Sequence, residues 1–423
     1  NLHWVSFFQS PETIRNLASL GKPVTWTLHD EWVYTGGCHY SSGCDRYKYD
    51  CDQCPQLVED INDIPSIFLQ MKKEMLETLA PVIISPSKWL ANKVKANPLT
   101  KRLRVEVIPN SIDIDLFSPI EKKAARVQLG LNPKAFYLLF GVESGNEKRK
   151  GFSELSKALK LCQEDPKFNA MVKKGELVLL SFGESNDSIS EIDLPIMNFG
   201  YVNDEKKLAL IYNAASFYVL PSLEDNLPNT ILESFGCGTP VIAFNTGGIP
   251  EMVEHGVTGL LAQIEGANSL SQVILEALNL SDDITQNMRE NVRDKVMREY
   301  SMIVQARHYG DLYTELINTH KPVDLTSKEI EQPNFVDLDF SKYPKLSDFY
   351  HETQTRFIRK REKDFIESEA DRAERWDQIQ QYSKWLKESE KIINDQRITI
   401  LIFRKFKSRI KNIAKRLGVL KEK

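Results

Sequence analysis

The feature that most constrains this chain is the run from Phe217 to Ala243. Phe217 to Leu220 is a short apolar stretch of the kind that forms a buried strand. A polar loop, Glu224 to Asn229, follows it. Ile231, Leu232 and Phe235 then recur at helical spacing, Gly236 and Gly238 stop the helix, and Val241 to Ala243 begins the next strand. Strand, loop, helix and strand in that order require a right-handed crossover and a parallel α/β sheet. In such sheets ligands lie beyond the carboxyl ends of the strands, where helix amino termini present N–H groups to anions. The loop before the helix is therefore where a phosphate or sugar hydroxyls would be held. Glu233, one turn into the helix, is placed to accept hydrogen bonds from a ribose diol.

The pattern continues through Gly238, Pro240, Val241, Gly247, Gly248 and Glu251. The whole block resembles the donor-site signature of retaining glycosyltransferases with the GT-B fold, family four in the usual classification. That signature is an acid, seven residues, then Glu, followed by small residues, Gly-x-Pro-Val and a Gly-Gly loop before a further Glu. Asp225 and Glu233 have the spacing. The family's first acid is usually Glu, whereas Glu224 here stands one residue too early, which leaves open whether Asp225 or Glu224 faces the sugar. The resemblance implies two facing Rossmann-like domains, a nucleoside-diphosphate sugar as donor, retention of anomeric configuration and no cofactor for catalysis. It also implies that the loop Asn226, Leu227, Pro228, Asn229 and Thr230 surrounds the sugar or phosphate and offers it N–H groups, and that Gly247 and Gly248 permit close backbone approach. Lys150-Gly151 stands at a helix start after the Tyr137–Gly141 strand, where the family carries a Lys-Gly on the diphosphate. Arg149 is its helper, since the family's usual Arg position is Gly145 here. His29, at the end of the Val24–Leu28 strand, matches a family His near the transferred sugar. His29, Asp225 and Lys150 are the expected catalytic residues, and the acceptor is a glycan or a polyprenyl-linked glycan. Other readings of the same pattern are a GT-B sugar-nucleotide epimerase, against which the Asp225–Glu233 run speaks, and a non-catalytic scaffold.

The 423 residues are enough for two such domains and an extension. We place an acceptor-side domain at 1–118, a donor-binding domain at 119–320 and a helical extension at 321–423. A net charge of −4 supplies no basic field for nucleic acid. Apolar runs reach only about six residues, far short of the roughly 20 of a spanning helix. Leu2 to Val5 reads as a strand that the family resemblance sets well inside the first domain, so that domain is expected to be incomplete. Val82–Ser85, Leu177–Gly183 and Ile196–Phe199 are further strands. Lys73–Leu79, Ser87–Ala96 and Val292–Leu316 are helices, the second capped by Ser85 or Ser87. Ile108 to Pro119 resembles the family's interdomain linker.

Two segments lie outside that scheme. Cys38, Cys44, Cys51 and Cys54 have the spacing C-x5-C-x6-C-x2-C. The last pair suits a structural zinc ion, while free thiols and disulfides stay open. Thr35 to Tyr40 and Cys54-Pro55 resemble a subgroup of bacterial polysaccharide glycosyltransferases. No Gly or Pro occurs between Pro344 and Gly418, and Phe365, Ile379, Leu386, Ile393 and Ile400 share a heptad seam, which suits a long helix or coiled-coil self-association. Phe403, Phe406, Ile410, Ile413, Leu417 and Leu420 form an apolar stripe among nine Lys or Arg residues from Arg404 to Lys423. That stripe fits a helix lying on an anionic membrane surface; packing on the enzyme or in a dimer is the rival. The expected location is cytoplasmic, at the inner face of the membrane.

Overall fold

The computed structural model describes residues 1–320 apart from 7–8, 58–62, 143–146, 184–191, 193 and 265, all within one compact unit. The heptad seam and the basic stripe fall outside the described residues.

The first half begins with α1 (Pro11–Arg15), capped by the Ser10 hydroxyl, and β1 (Thr25–Thr27). Next come α2 (Ile64–Leu79), β2 (Val82–Ser85), α3 (Lys88–Ala96) and β3 (Val105–Val107). The three strands pair in parallel in the order β1-β2-β3, with Trp26 opposite Ile83 and Ile83 opposite Val105. Leu2 to Val5 is not a strand of this sheet. Leu2 makes one isolated bridge to Trp26, donating to the Thr25 carbonyl and accepting from Thr27, and no ladder continues from it. The helix expected at 73–79 is the end of the longer α2, because Leu69, Met71, Met75, Leu76 and Leu79 extend one buried stripe back along it. Ser87 is the cap of α3, accepting from the Leu90 N–H at 3.1 Å. Ser85 instead donates to the Ser87 carbonyl.

The second half runs α4 (Lys122–Gln128), β4 (Phe136–Val142), α5 (Phe152–Cys162), α6 (Pro166–Lys173), β5 (Leu177–Gly183), β6 (Ile196–Asn198) and α7 (Glu205–Ala214). It continues with β7 (Phe217–Leu220), α8 (Asn229–Gly236), β8 (Val241–Phe244), α9 (Ile249–Met252), β9 (Gly259–Ala262), α10 (Ala267–Ala277), α11 (Asp282–Glu299) and α12 (Met302–Thr319). Its sheet is parallel throughout, in the order β6-β5-β4-β7-β8-β9. Helices cover both faces, so β7 and β8 are buried along their whole length and read as unbroken apolar runs. The helix expected over 292–316 is two helices. Tyr300 turns into the core and Ser301 starts α12 afresh. Leu312 of α12 packs with Ile84 and Ile108 of the first half, and the Tyr309 hydroxyl lies 2.9 Å from the Thr27 hydroxyl.

The strand order locates the binding crevice. From β4 the chain builds outward through β5 and β6, then returns to the other side of β4 with β7. The loops after β4 and β7 therefore part in opposite directions and leave a crevice at the carboxyl ends of these two strands.

Candidate active site

Both loops at that crevice carry charge. After β4 a 3-10 turn over Lys148–Lys150 ends at Gly151, whose φ of +69° and close approach leave no room for a side chain, since a Cβ would collide with the Pro221 carbonyl. That contact holds the turn against the loop that follows β7. The Leu223 N–H donates to the Arg149 carbonyl at 2.8 Å, and the Arg149 guanidinium donates to the Glu224 carbonyl at 2.9 Å.

Asp225 is the centre of this arrangement. It is 7% exposed, yet five donors surround it. Oδ2 accepts from Lys150 and the Ser222 hydroxyl and is ion-paired with Arg149, each at 3.3 Å. Oδ1 accepts from the Asn226 N–H at 3.0 Å, with the Tyr40 hydroxyl at 3.5 Å. Glu224 points elsewhere: its carboxylate takes the Lys93 ammonium at 3.0 Å and the Ser42 N–H at 3.2 Å, both from the first half. Of the two adjacent acids, Asp225 is thus the one in the cleft.

His29, Tyr40, Asn110, Lys150 and residues 225–230 line a cleft of about 320 Å³ between the two sheets. Pro228 stands at the N-cap of α8 and offers no side-chain cap, so the helix opens onto this space through Asn229 and Thr230. His29 lies two residues beyond β1. Its Nε2 is 3.1 Å from Nδ1 of His3, with the rings stacked, and its carbonyl accepts from the Asn226 side-chain amide at 3.2 Å. Burial first, then the neighbouring His3, hold the His29 imidazole below its ordinary value, so the ring is neutral near pH 7.

Glu233 sits deeper on α8, accepting from the Tyr212 hydroxyl at 2.8 Å. Burial pushes its carboxyl above the ordinary range, opposed by that hydrogen bond. Gly247 and Gly248 lie against the backbone of the loop. A Cβ at either would strike the Asp225 or Asn226 carbonyl, and the Gly248 N–H donates to the Asp225 carbonyl at 3.0 Å.

Several cleft contacts join the halves and were not visible as motifs. The Ser87 hydroxyl donates to the Asn226 amide oxygen at 2.5 Å. Glu251 accepts from the Lys88 and Trp89 N–H groups at 2.8 and 2.7 Å, so one half supplies the anionic cap of a helix in the other. Asn110, known from sequence only as part of a linker, donates to the Asn229 side chain at 3.0 Å.

Nothing in the described residues supports the zinc expectation. Cys38, Cys44, Cys51 and Cys54 are free thiols, and among the described residues no group of three or more His, Cys, Asp or Glu is placed to hold a metal ion. Cys51 is packed into the first half's apolar core with Tyr34 and Tyr47. Burial, above all, pushes the Cys38 thiol up to about 11.

With the crevice and its charges in place, comparison with known proteins gives the family. Residues 138–280 match Glycosyl transferases group 1. This stretch is a glycosyl transferases group 1 domain. The group 1 domain contains Arg149, Lys150, Asp225, Glu233 and the Gly247–Gly248 turn, whereas His29, Tyr40 and the four clustered cysteines, Cys38, Cys44, Cys51 and Cys54, lie outside it. Over 310 residues the chain is 25% identical to the putative colanic acid biosynthesis glycosyl transferase WcaC of Escherichia coli K12, a match that covers 70% of this chain and 68% of that one. It is 24% identical over 223 residues to the Escherichia coli UDP-Gal:alpha-D-GlcNAc-diphosphoundecaprenol alpha-1,3-galactosyltransferase, covering 51% of this chain and 55% of that relative. Thus the chain spans about two thirds of the first and about half of the second. Among solved structures, sucrose-phosphate synthase from Thermosynechococcus elongatus superposes with a TM-score of 0.53 at 24% identity, covering 70% of this chain and 68% of that one. Anabaena Alr3699/HepE, in complex with UDP and glucose, gives 0.53 at 18% identity, covering 72% and 76%. These likenesses establish the fold: two parallel α/β halves around a cleft, the GT-B arrangement.

Proposed function

We propose that the chain is a retaining glycosyltransferase that moves a sugar from a nucleoside-diphosphate sugar to a glycan or lipid-linked acceptor during synthesis of a bacterial surface polysaccharide. The observation that carries this reading is the Asp225 carboxylate held by Arg149 and Lys150 at the switch point of the second sheet, with His29 of the first half lining the same cleft. Two cations beside an open helix amino terminus suit a diphosphate leaving group, whose charge grows in the transition state. A carboxylate among those cations suits the hydroxyls of the sugar that the diphosphate carries. Glu233 suits the ribose. Neutral His29 can donate to a sugar hydroxyl or accept the proton of the incoming acceptor. The acceptor would attack on the face from which the diphosphate departs, and closure of the two halves would keep water out.

The relatives' names support this acceptor class: one is named for colanic acid synthesis and another for transfer to a diphosphoundecaprenol-linked sugar. Among the described residues no helix is long and apolar enough to cross a membrane. A lipid-linked acceptor would instead be reached by the basic stripe of residues 404–423 lying on anionic lipid. Isothermal titration with UDP, GDP and ADP tests the donor site, and binding of none would overturn the reading. Sedimentation with anionic vesicles tests the stripe: the chain should pellet at low salt, and deletion of 404–423 should abolish pelleting while nucleotide binding persists.

A further inference from the structure

The cysteine-rich segment after β1 has no role in the chemistry above, yet it is built into the cleft. Tyr34 and Tyr47 from this stretch pack in the first half's core together with Cys51. Tyr40 does not join them. Its ring faces the Arg149 guanidinium at 4.0 Å, and its hydroxyl lies 3.5 Å from Asp225 Oδ1. Burial, then the Asp225 charge, push the phenol above its ordinary range, so it remains an O–H donor.

The backbone around Tyr40 is fastened on every side. The Gln56 amide donates to the carbonyls of Tyr40 and Ser41, at 2.9 and 3.2 Å. One residue earlier, the His39 carbonyl accepts from the Glu31 N–H, and the His39 ring is 2.6 Å from the Asp30 carboxylate. The next two N–H groups bind carboxylates, Ser41 to fully buried Glu31 at 2.8 Å and Ser42 to Glu224 at 3.2 Å. Lys93 joins Glu31 and Glu224. At the base of the segment, Lys72 donates to the carbonyls of Trp32 and Thr35. An arm held by this many bonds, ending on the two groups that matter most in the cleft, is a positioning device and not a surface loop.

We propose that Tyr40 is a positioning residue of the donor site, its ring orienting Arg149 and its hydroxyl orienting Asp225, and that the cysteine-rich segment is the arm that delivers it. This rests on the proposed donor site. The edges of the Arg149 guanidinium are held by Asp225, the Glu224 carbonyl and the Glu147 carboxylate. The Tyr40 ring covers one face and so fixes the tilt of the plane, which leaves the other face ready for a diphosphate. When the donor binds, Asp225 must turn from the cations to the sugar, and the Tyr40 hydroxyl is the donor from the opposite half that can hold it there.

The test separates ring from hydroxyl. Affinity for whichever of UDP, GDP or ADP the parent binds is measured by titration, and kcat and KM are measured with the matching nucleotide sugar. Tyr40→Phe keeps the ring: nucleotide affinity should stay within about twofold, while kcat falls about 3- to 10-fold, the worth of one ordinary hydrogen bond, since the 3.5 Å separation makes this contact a long one. Tyr40→Ala removes both: nucleotide affinity should fall about 3- to 30-fold, the range of a partly buried cation–π contact, and kcat should fall further than in the Phe variant. A purely structural tyrosine predicts a different result, a lower melting temperature and a smaller active fraction with unchanged kcat per active site. That result, or parent-like kinetics in both variants, overturns the proposal. If Tyr40→Ala does not fold, Tyr40→Phe decides alone, and a parent-like kcat per active site overturns it. A parent chain that binds no nucleotide overturns the donor-site reading and this one together. A parent that binds and transfers beside unaffected variants overturns this one only.

Discussion

Asp225→Asn should separate nucleotide binding from sugar transfer. The carboxylate is ion-paired with Lys150 and Arg149, both at 3.3 Å, so a diphosphate arriving on those cations must displace or sit beside a negative charge. At a separation of roughly 6 Å, one unit charge against another costs about 0.7 kcal/mol in water and about 2.8 kcal/mol at an effective dielectric of 20. The cleft lies between those limits, so removing the charge should tighten binding of the free nucleoside diphosphate about 3- to 100-fold. Transfer should move the other way. The sugar loses an ionised acceptor in the transition state, a loss of about 1.5–3 kcal/mol, so kcat should fall roughly 10- to 150-fold. Asn keeps an acceptor for the Asn226 N–H at Oδ1, so the loop itself should hold. Titration with the nucleotide, steady-state transfer with its sugar conjugate and a thermal melt, all at one fixed salt concentration, make the comparison. Nucleotide affinity that falls in step with transfer would refute the reasoning, because Asp225 would then support the nucleotide rather than compete with it.

Three further outcomes follow from other contacts. Glu233→Ala should weaken nucleotide binding about 10- to 150-fold if the carboxylate takes the ribose, and a parent-like dissociation constant would remove it from the site. Lys72→Met should lower stability by about 2–4 kcal/mol in urea unfolding, since the carbonyls of Trp32 and Thr35 lose their buried donor and the Trp32 ring loses an ammonium 3.6 Å from its centre; an unchanged midpoint would refute this. For pH, the folded-state value of His29 lies below its ordinary 6.5, so the unfolded chain takes up the proton first. The stability tied to neutral His29 is therefore present above about pH 6.5 and lost as pH falls from there through the folded-state value. The acid limb of kcat/KM should likewise begin below 6.5 and vanish in His29→Asn; an acid limb above 6.5 would contradict the neutral ring.

Much of the donor half was legible because its signals are local. β7 and β8 are apolar along their whole length, and the strand–loop–helix pattern between them places Asp225 and Glu233 without reference to any distant residue. Strands with weaker local signals were missed. β3 is Val-Glu-Val and half-buried throughout, and β9 opens on a glycine; each is defined by the neighbour it pairs with. The single helix expected over 292–316 failed for a similar reason. Helical periodicity continues across Tyr300, and only the core pocket that receives that ring breaks it.

The sequence by itself determined the α/β class, the crossover at 217–243, the acids at 225 and 233 and the Lys-Gly turn before α5, because helix stops, apolar runs and glycine positions act within a few residues of where they stand. Tertiary structure decided what meets across the cleft. It turned Asp225 toward the cations and Glu224 toward Lys93, although the two acids are adjacent and chemically alike. It buried Cys51 in the core, where the cysteine spacing had suggested a metal. It also set Tyr40 beside Asp225, 185 positions away in the chain. Such pairings depend on how two sheets close on one another, and a spacing read along one strand or helix carries no record of the surface that will face it.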